Sequence, residues 1–420
     1  MLPVDQIDLT DLEFWALPWE VRDGAFRTLR RERPIARFEE PDFRDRSALA
    51  PAPGPGYWAV TRHADVAEVS RHPEIFRSGQ GAVSILDLPE EMVEYFSGMI
   101  STDNPRHARL RRIVSAAFSP RMVQSIEDRI QQVAVEVIDR VRSMGSCDFV
   151  AEIAAPLPLR LICQMMGIPE ADNERVFRCS NIILSSADPE FVAEDADPVA
   201  AFLTAGQELT ELMQDIGERR LTAPTEDLTS ALINTNIEGE ALTHGELASF
   251  FVLLVVAGNE TTRNAISHGL WALTAHPDQR EAWRAEVDGV SATAADEIVR
   301  WASPVTWMRR TVAEPAELSG QPMAPGDKVL LFYNSANRDE EVFADPFELD
   351  LRRDPNPHFG FGAAGPHFCL GAHLARREIT VMFQELFDRL PDIEATGQPD
   401  RLRSDFINGI KHLPCAFTPA

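Results

Sequence analysis

The sequence predicts a mainly α-helical protein with small β-sheets, a fold of the α+β class. Most segments long enough to form an element carry apolar residues at helical spacing. One segment, residues 243–276, is much longer than an average helix and strongly apolar. Strand patterns are short, and the clearest ones cover residues 57–61 and 328–333. Since no internal repeat, low-complexity tract or flexible linker interrupts the chain, residues 1–420 are predicted to form a single domain.

The charge of the chain argues against two kinds of partner. Its formal net charge of −26 disfavours nucleic acid and an anionic membrane surface. The longest apolar run, Phe250 to Ala257, is far shorter than the ~18 residues that a membrane span needs. The N-terminus is acidic and lacks a basic stretch followed by an apolar one, so no signal peptide is expected.

The cysteines indicate a reducing compartment. Their number is odd, they are widely spaced and no C-x-x-C pair occurs, so neither a disulfide framework nor a zinc site is expected. The protein is therefore predicted to be cytoplasmic. The cysteines are Cys147, Cys163, Cys179, Cys369 and Cys415.

From the N-terminus, predicted helices alternate with loops and one strand. The segment at residues 79–99 contains two glycines and a proline and is predicted to be irregular. Residues 188–198 are acidic and contain two prolines, which predicts a loop between two helices. The predicted helices in this part of the chain cover residues 18–33, 65–70, 121–143 and 159–166.

A basic helix is predicted just after residue 103. His107 and Arg111 are four residues apart, so they share one face of this helix. Two cationic donors on one face suit a ligand that carries a pair of carboxylates. A solvated basic face is the alternative that the spacing alone leaves open.

The long apolar helix has a polar interruption. Thr243 and Glu246 form a capping-box pattern at its start, and Pro277 marks its end. In its middle, residues 258–262 (GNETT) place a glycine and polar groups in a buried helix, where the glycine alone costs about 1 kcal/mol. Glycine and polar residues are unfavourable in a buried helix, and such an exception often marks a functional site. The alternative is a solvated kink in the helix.

The C-terminal third contains an ion-pair pattern, short strands and one distinctive cysteine. Glu297 and Arg300 attract one another at i, i+3 on a predicted helix. Residues 317–318 and 328–333 form strands of a small sheet, and residues 404–411 form a hairpin.

Cys369 ends a Gly/Pro-rich loop and precedes a good helix pattern. Free backbone N–H groups and the helix dipole at such a position are expected to lower the pKa of its thiol. Glycines on both sides allow a flat or bulky ligand to come close to the backbone. The thiolate could serve as a nucleophile or a metal ligand, and a buried structural cysteine is the alternative.

The stretch FGAAGPHFCLGAHLAR resembles the haem-binding loop of the cytochrome P-450 superfamily, Phe-Gly-x-Gly-x-His-x-Cys-x-Gly. Gly365, His367, Cys369 and Gly371 match this pattern, whereas Phe361 lies one residue early because the loop is one residue longer. Three further motifs extend the resemblance along the chain: His-x-x-x-Arg at 107–111, Ala-Gly-x-Glu-Thr at 257–261 and Glu-x-x-Arg at 297–300. The resemblance implies the cytochrome P-450 fold, in which a long central helix lies over a haem.

The resemblance also implies a role for each matching residue. Cys369 is expected to bind the iron of haem b, and Glu260 with Thr261 to deliver protons during oxygen activation, where the long helix opens beside the haem. Glu297 and Arg300 are expected to form a structural ion pair. Arg310 is expected to bind a haem propionate, and Arg309 competes for that role. The expected cofactor-binding residues are His107, Arg111, Ala257, Arg310, Phe361, Gly365, His367, Cys369 and Gly371. The expected substrate-binding residues, all apolar, are Ile100, Leu253, Val256, Ala257, Val305, Phe406 and Ile407.

The expected activity is that of a haem-thiolate monooxygenase, which inserts one atom of O2 into a C–H bond of a hydrophobic substrate. Stretches such as AGNETTRNAISHG and EIVRWASPV are similar to bacterial hydroxylases that oxidise terminal methyl groups of methyl-branched lipids and of steroid side chains. Omega-hydroxylation of a methyl-branched lipid is therefore expected, with a steroid side chain as the alternative substrate. A haem-thiolate electron carrier or gas sensor and a peroxide-driven peroxygenase are further alternatives, and the Glu260–Thr261 pair disfavours both.

The electrons are expected to come from outside this chain. No dinucleotide or flavin fingerprint is present, so the resemblance implies an NAD(P)H-dependent ferredoxin reductase and a ferredoxin. An acidic ferredoxin would be attracted to a basic patch on the thiolate side of the haem. The alternative is that Arg112 and Arg377 are only solvated or paired with local carboxylates. The arginines expected around this site, some of which form the patch, are Arg109, Arg111, Arg112, Arg376 and Arg377.

Overall fold

Helices make up most of the regular structure in the computed structural model, which describes residues 2–118, 120–185, 188–237 and 239–419. Short 3-10 turns lie at Val4–Gln6, Gly98–Ser101 and Glu170–Asp172, and a π-helical turn lies at Val150–Ala154. The α-helices are α1 (Leu12–Ala16), α2 (Trp19–Glu32), α3 (His63–Arg71), α4 (Glu90–Ser97), α5 (Arg106–Ala117), α6 (Pro120–Val141), α7 (Pro156–Met166), α8 (Asn173–Ser185), α9 (Pro198–Thr222), α10 (Leu228–Asn234), α11 (His244–Ala275), α12 (Pro277–Ala285), α13 (Val287–Ala302), α14 (Tyr333–Ala336) and α15 (Ala372–Arg389).

The strands are short and form small sheets. They are β1 (Ile35–Phe38), β2 (Tyr57–Val60), β3 (Phe76–Arg77), β4 (Ser146–Asp148), β5 (Trp307–Val312), β6 (Ala316–Leu318), β7 (Gln321–Met323), β8 (Lys328–Phe332), β9 (Glu394–Ala395), β10 (Asp400–Arg401), β11 (Ile410–His412) and β12 (Pro414–Ala416). The largest sheet has the order β1-β2-β8-β5-β3, in which β2 and β8 are parallel. A second sheet has the order β4-β12-β9, and β6-β7 and β10-β11 are antiparallel pairs. The prediction of mainly helical structure with small sheets is confirmed.

Helix α11 is the central element. Its 32 residues span about 48 Å at a rise of about 1.5 Å per residue. The predicted capping box is present: the Thr243 hydroxyl accepts from the Glu246 backbone N–H at 3.2 Å, and the Glu246 carboxylate accepts from the Thr243 N–H at 3.0 Å. Buried residues occur on every face of α11, because α4, α7, α8, α9, α13 and α15 all pack against it.

Two expectations about the first half of the chain were wrong in part. The segment predicted as irregular contains α4, whose Tyr95 hydroxyl donates to the Gly206 carbonyl at 3.0 Å and whose Phe96 ring lies 4.1 Å from that of Phe202. Pro89 does not interrupt this helix, because it lies immediately before the first turn, where proline is tolerated. For the same reason, α7 begins at Pro156 and not at residue 159.

The predicted C-terminal hairpin is present, and its first strand lies before the predicted range of residues 404–411. Strands β10 and β11 pair with one another, and the turn between them carries an isolated bridge from Ile407 to Val305. The Asn408 backbone N–H donates to the Pro304 carbonyl at 3.0 Å, which fixes the turn against the chain that follows α13. Among the described helices, none is both long and apolar enough to cross a membrane.

Candidate active site

The loop before α15 presents Cys369 on a tightly folded backbone. The Cys369 N–H donates to the Phe361 carbonyl at 2.9 Å, so the loop closes on itself. Gly362 has a φ of 84°, a left-handed conformation that favours glycine. A side chain at Gly365 would place its Cβ only 2.5 Å from the Ser70 carbonyl oxygen, so glycine is required there as well. Helix α15 begins at Ala372, three residues after Cys369.

The Cys369 thiol can be reached by solvent, although protein surrounds it closely. Desolvation by this surrounding protein raises the pKa of the thiol, while the Gly371 backbone N–H, Arg111 and Arg376 act in the opposite direction. The expectation of a lowered pKa was therefore wrong, because a single helix N–H and two nearby cations do not outweigh burial. A thiol in this position is still a suitable soft ligand for iron, since coordination deprotonates it outright.

Arg111 holds the cysteine loop in place. Its two Nη groups donate to the carbonyl oxygens of Pro366 and Phe368, at 3.1 and 2.8 Å. On the same face of α5, His107 is buried, and its ring centroid lies 4.2 Å from that of His367. Sequence analysis anticipated the spacing of the two residues on α5 but not the contacts of Arg111 with the loop.

The two histidines are neutral. Burial, followed by repulsion from Arg111, lowers the pKa of His107, and burial with the cations Arg310 and Arg111 nearby lowers that of His367 to about 2. The expectation that His107 is a cationic donor was therefore wrong. A neutral imidazole still carries one N–H group, so it can donate a hydrogen bond to a carboxylate.

The structure distinguishes Arg310 from its neighbour Arg309. The Arg309 guanidinium already has hydrogen-bond partners: it donates to the Ser84 carbonyl at 3.2 Å and to the Asp87 carboxylate at 2.6 Å. Within the described part of the chain, the Arg310 side chain makes one hydrogen bond, 2.8 Å from its Nη1 to the Arg309 carbonyl. Arg310 also lines a cleft of about 270 Å³ together with His367. The geometry thus favours Arg310 as the residue available to an anionic ligand.

One face of α11 is accessible in the middle of this buried helix. Leu253, Ala257 and Thr261 follow one another at intervals of four residues; Ala257 is exposed and the other two are half-buried. The Thr261 hydroxyl donates to the Ala257 carbonyl at 2.8 Å. On another side of the helix, a Cβ at Gly258 would lie 3.3 Å from Ile162. The expected opening of the helix is not seen, because α11 is continuous through these residues.

Glu260 points away from solvent and is paired with a cation. Its side chain is fully buried, and Oε1 accepts from Arg263 and, at 2.9 Å, from Asn264. Arg263 also donates to Asn181 at 3.0 Å. The second carboxylate oxygen has no hydrogen-bond partner among the described residues. Sequence analysis missed Arg263, although its i, i+3 spacing from Glu260 is a recognisable signal.

Glu297 and Arg300 form a fully buried bidentate ion pair on α13, with both N–O distances 2.7 Å. Arg300 also donates to the carbonyls of Asn337 and Pro346, each at 2.9 Å. Glu297 accepts further hydrogen bonds from Arg353, Asn356 and the backbone of Asp350. The pair therefore connects α13 to the long connection between α14 and the cysteine loop.

The expected substrate-binding residues divide into two groups. Ile100, Leu253, Val305 and Phe406 are half-buried, whereas Val256 and Ile407 are buried. The bridge between Val305 and Ile407 brings two of them together, and the Phe406 ring lies 4.9 Å from Trp307. Trp307 was missed, because nothing in the sequence relates a residue of β5 to the C-terminal turn.

Most of the arginines expected in a basic patch are neutralised. Arg109 pairs with Glu246, Arg112 with Glu240 at 2.5 Å, and Arg376 with Asp296 at 2.8 Å. Arg112 therefore follows the alternative in which it is paired with a local carboxylate. Among the residues that the structure describes, no hydrogen bond or ion pair involves the side chain of Arg377.

The donor set around Cys369 fits haem. An accessible thiol provides a soft iron ligand, and glycines at 362, 365 and 371 leave the backbone close to it. Arg310 and the N–H groups of His107 and His367 suit carboxylates, which haem carries as propionates. The accessible face of α11 provides an apolar surface with one hydroxyl, at Thr261.

The comparisons with known proteins agree with this geometry. A family model described as Cytochrome P450 matches residues 200–401. A "Methyl-branched lipid omega-hydroxylase" from Mycobacterium tuberculosis is 49% identical over 423 residues, 99% of this chain and 96% of the relative. A "Steroid C26-monooxygenase" from Mycolicibacterium smegmatis is 42% identical over 369 residues, 87% of this chain and 84% of the relative.

The solved structures lead to the same family. A Mycobacterium marinum cytochrome P450, solved in complex with pseudoionone, has a TM-score of 0.92 and 44% identity and covers 99% of this chain and 100% of its own. A Bacillus subtilis cytochrome P450 of the bacillaene polyketide synthase has a TM-score of 0.85 and 30% identity. The match covers 98% of this chain and 100% of that protein's chain. The chain belongs to the cytochrome P450 family and is a haem b monooxygenase.

Proposed function

We propose that this monooxygenase hydroxylates the terminal methyl group of a methyl-branched lipid, with haem b held by Cys369. The observation that carries the proposal is the identity of 49% over 99% of the chain to relatives named methyl-branched lipid omega-hydroxylase. An apolar site supports it, since Leu253, Val305 and Phe406 offer aliphatic and aromatic contacts to a hydrocarbon chain.

The haem would be held by residues from three parts of the chain. Cys369 provides the iron ligand, and Arg111 fixes the loop that carries it through the carbonyls of Pro366 and Phe368. Arg310 and the N–H groups of His107 and His367 would bind the propionates. The bound haem supplies the activation of dioxygen, and thiolate ligation favours cleavage of the O–O bond.

Two side chains on α11 would move the protons. The Thr261 hydroxyl donates to the Ala257 carbonyl at 2.8 Å, so its oxygen lone pairs remain free to accept a hydrogen bond. Glu260 is adjacent in sequence and keeps one oxygen without a partner in the described residues. The negative charge of Glu260 is balanced by the buried guanidinium of Arg263, with which it forms an ion pair.

Electrons would reach the haem from a ferredoxin and an NAD(P)H-dependent ferredoxin reductase in the cytoplasm. The chain lacks the Gly-rich fingerprint of a dinucleotide-binding unit, so it relies on a separate reductase. Docking would occur on the side where α15 leaves the cysteine loop, and Arg377 is a cation there that forms no ion pair with any residue the structure describes.

The proposal is tested by substrate binding and by the position of the new hydroxyl group. The haem-loaded protein is titrated with a methyl-branched fatty acid, an unbranched acid of equal chain length and a sterol ketone, and absorbance changes are recorded. The branched acid is expected to bind more tightly than its unbranched control. Turnover with ferredoxin, reductase and NAD(P)H should place the hydroxyl on a terminal methyl carbon, and a hydroxyl on an interior carbon would contradict the proposal.

A steroid side chain is the second candidate substrate. Relatives named steroid C26-monooxygenase are 40–42% identical over 86–87% of this chain. Tighter binding and faster turnover of the sterol ketone would favour this candidate. A haem-thiolate electron carrier or sensor would bind ferredoxin or a gas but form no hydroxylated product from any of the three compounds.

A further inference from the structure

Two cysteines far apart in sequence face each other on the sheet β4-β12-β9. Cys147 is the central residue of β4 and Cys415 that of β12, and the antiparallel register places them directly opposite one another. They are separated by 268 positions in the chain, which is why their spacing gave no sign of a pair. Strand β4 lies at the edge of this sheet and is only three residues long.

The two sulfur atoms are 3.5 Å apart. A disulfide needs about 2.05 Å between the sulfurs and Cβ atoms about 3.5–4.5 Å apart. Directly opposed residues of an antiparallel pair have Cβ atoms about 4.5–5.5 Å apart, so the strands would have to approach by about 1 Å. A short edge strand with no neighbour on its outer side can move by that distance.

We propose that Cys147 and Cys415 form a redox pair, which a hydroperoxide oxidises to a cross-strand disulfide. Exposure gives the two sulfurs different roles. Cys147 is half-buried at the edge of the sheet, whereas Cys415 is 1% exposed. A small peroxide therefore meets Cys147 first, and Cys415 is the resolving thiol beneath it.

The chemistry takes two balanced steps. The Cys147 thiolate attacks one oxygen of hydrogen peroxide, the O–O bond breaks, the sulfur gains a hydroxyl group and the departing hydroxide takes a proton to become water. The Cys415 sulfur then attacks the Cys147 sulfur, the S–O bond breaks, and a second water leaves with the proton of Cys415. The two thiols are oxidised and the peroxide is reduced. The neighbouring Cys415 thiol lowers the pKa of Cys147, which favours the thiolate that starts this sequence.

The disulfide would fasten a region that is already held by polar contacts. Asp148, next to Cys147, accepts from the Leu413 backbone N–H at 3.1 Å and pairs with His412 at 2.5 Å. His412 also contacts Glu190, which lies in the loop before α9. The new bond would therefore link β12, and with it the C-terminal hairpin, covalently to β4.

The test uses the full-length, haem-loaded protein and hydrogen peroxide as the oxidant. After treatment, free thiols are blocked by alkylation, and the protein is digested and analysed by mass spectrometry. One cross-linked peptide pair containing Cys147 and Cys415 is expected, two hydrogens lighter than the sum of the reduced peptides, and a thiol reductant should reverse it. The treated protein should also lose two alkylatable thiols.

Variants distinguish this pair from general oxidation. In Cys415→Ser, Cys147 has no resolving thiol and should be trapped as a sulfenic acid that reacts with dimedone. In Cys147→Ser, Cys415 should stay reduced. Cys163→Ser is the matched control and should behave like the parent, because that buried thiol has a pKa raised to about 12. The proposal is overturned if peroxide drives Cys147 to sulfinic acid in the parent without a disulfide, or if the cross-link maps to another pair.

Discussion

At the scale of single residues, the site depends on Cys369 and on the side chains that fix its loop. Cys369→Ala removes the proposed iron ligand, so the reduced carbon monoxide complex should lose its absorbance near 450 nm, the position that gives the family its name. Cys179→Ala, which removes a buried cysteine outside the loop, is the control and should keep the band. An unchanged spectrum in Cys369→Ala would exclude this residue as the ligand.

Thr261 is expected to control how efficiently electrons are used. Thr261→Ala removes the hydroxyl that lies on the accessible face of α11 but leaves the apolar contacts of that face in place. Haem and substrate binding should be preserved, while product formed per NAD(P)H falls several-fold and hydrogen peroxide accumulates. Thr262→Ala changes the adjacent, buried threonine and is the matched control. Equal coupling in both variants would show that Thr261 has no part in proton delivery.

Glu378 gives the protein a predictable pH dependence. Burial raises the pKa of this carboxyl to about 8, against about 4.3 in an unfolded chain. At a pH between these two pKa values, the Glu378 carboxyl keeps its proton in the folded state but has lost it in the unfolded state. The free energy of unfolding should therefore fall as the pH rises, by up to about 1.4 kcal/mol per unit, and level off above pH 8. Glu378 thus stabilises the folded state most at low pH.

Urea denaturation of Glu378→Gln and the parent between pH 5 and 8 measures this contribution. The difference in unfolding free energy, variant minus parent, should rise with pH, because glutamine carries no proton to lose. Taking the difference removes the contributions of all other titrating groups that are unaffected by the substitution. A difference that stays constant with pH would mean that Glu378 titrates normally.

At the scale of elements, the ion pair of α13 is expected to contribute far more to the stability of the fold than a surface pair of the same spacing. Glu297→Gln leaves Arg300 and Arg353 buried without their carboxylate, which should cost about 3–5 kcal/mol of stability. Glu281 and Arg284 on α12 form an i, i+3 pair with a similar distance of 2.8 Å, but Glu281 is exposed and Arg284 is only half-buried. Glu281→Gln should cost less than about 1 kcal/mol. Similar losses in the two variants would contradict the structural role of the buried pair.

The elements that sequence analysis located best are those specified by local signals. Helix α11 was predicted with nearly correct ends because the capping box at Thr243 and the break at Pro277 are properties of neighbouring residues. Helix α4 was missed because its stability depends on contacts with Gly206 and Phe202 of α9. The roles of Arg309 and Arg310 could not be separated for the same reason: the partners that occupy Arg309, Ser84 and Asp87, lie more than 200 positions away.

The site was predictable only as far as motifs extend. Cys369, Glu260 and Thr261 could be proposed as site residues because they match the family pattern. The direction of the Cys369 pKa shift was predicted wrongly. It depends on how much protein surrounds the thiol, and the local sequence does not reveal the extent of this burial. The pairing of Cys147 with Cys415 likewise depends on the register of two strands at opposite ends of the fold.

At the scale of the whole molecule, the charge distribution determines how a redox partner would dock. The chain has a net charge of −26, so an acidic ferredoxin is repelled by most of its surface. Productive docking then depends on local cations near the cysteine loop. Because Arg112 and Arg376 are paired with Glu240 and Asp296, Arg377 is expected to carry more of the attraction than either of them.

Arg377→Glu should slow the first electron transfer from ferredoxin several-fold at low salt, whereas Arg112→Glu should have a smaller effect, because Glu240 already offsets that charge. The difference between variant and parent should disappear as salt is raised, since the Debye length falls to about 8 Å at physiological ionic strength. Reduction by dithionite, which needs no docking site, should be unchanged in both variants. If the ferredoxin rates of Arg377→Glu and the parent coincide across the whole salt series, the partner docks on a different surface of the molecule.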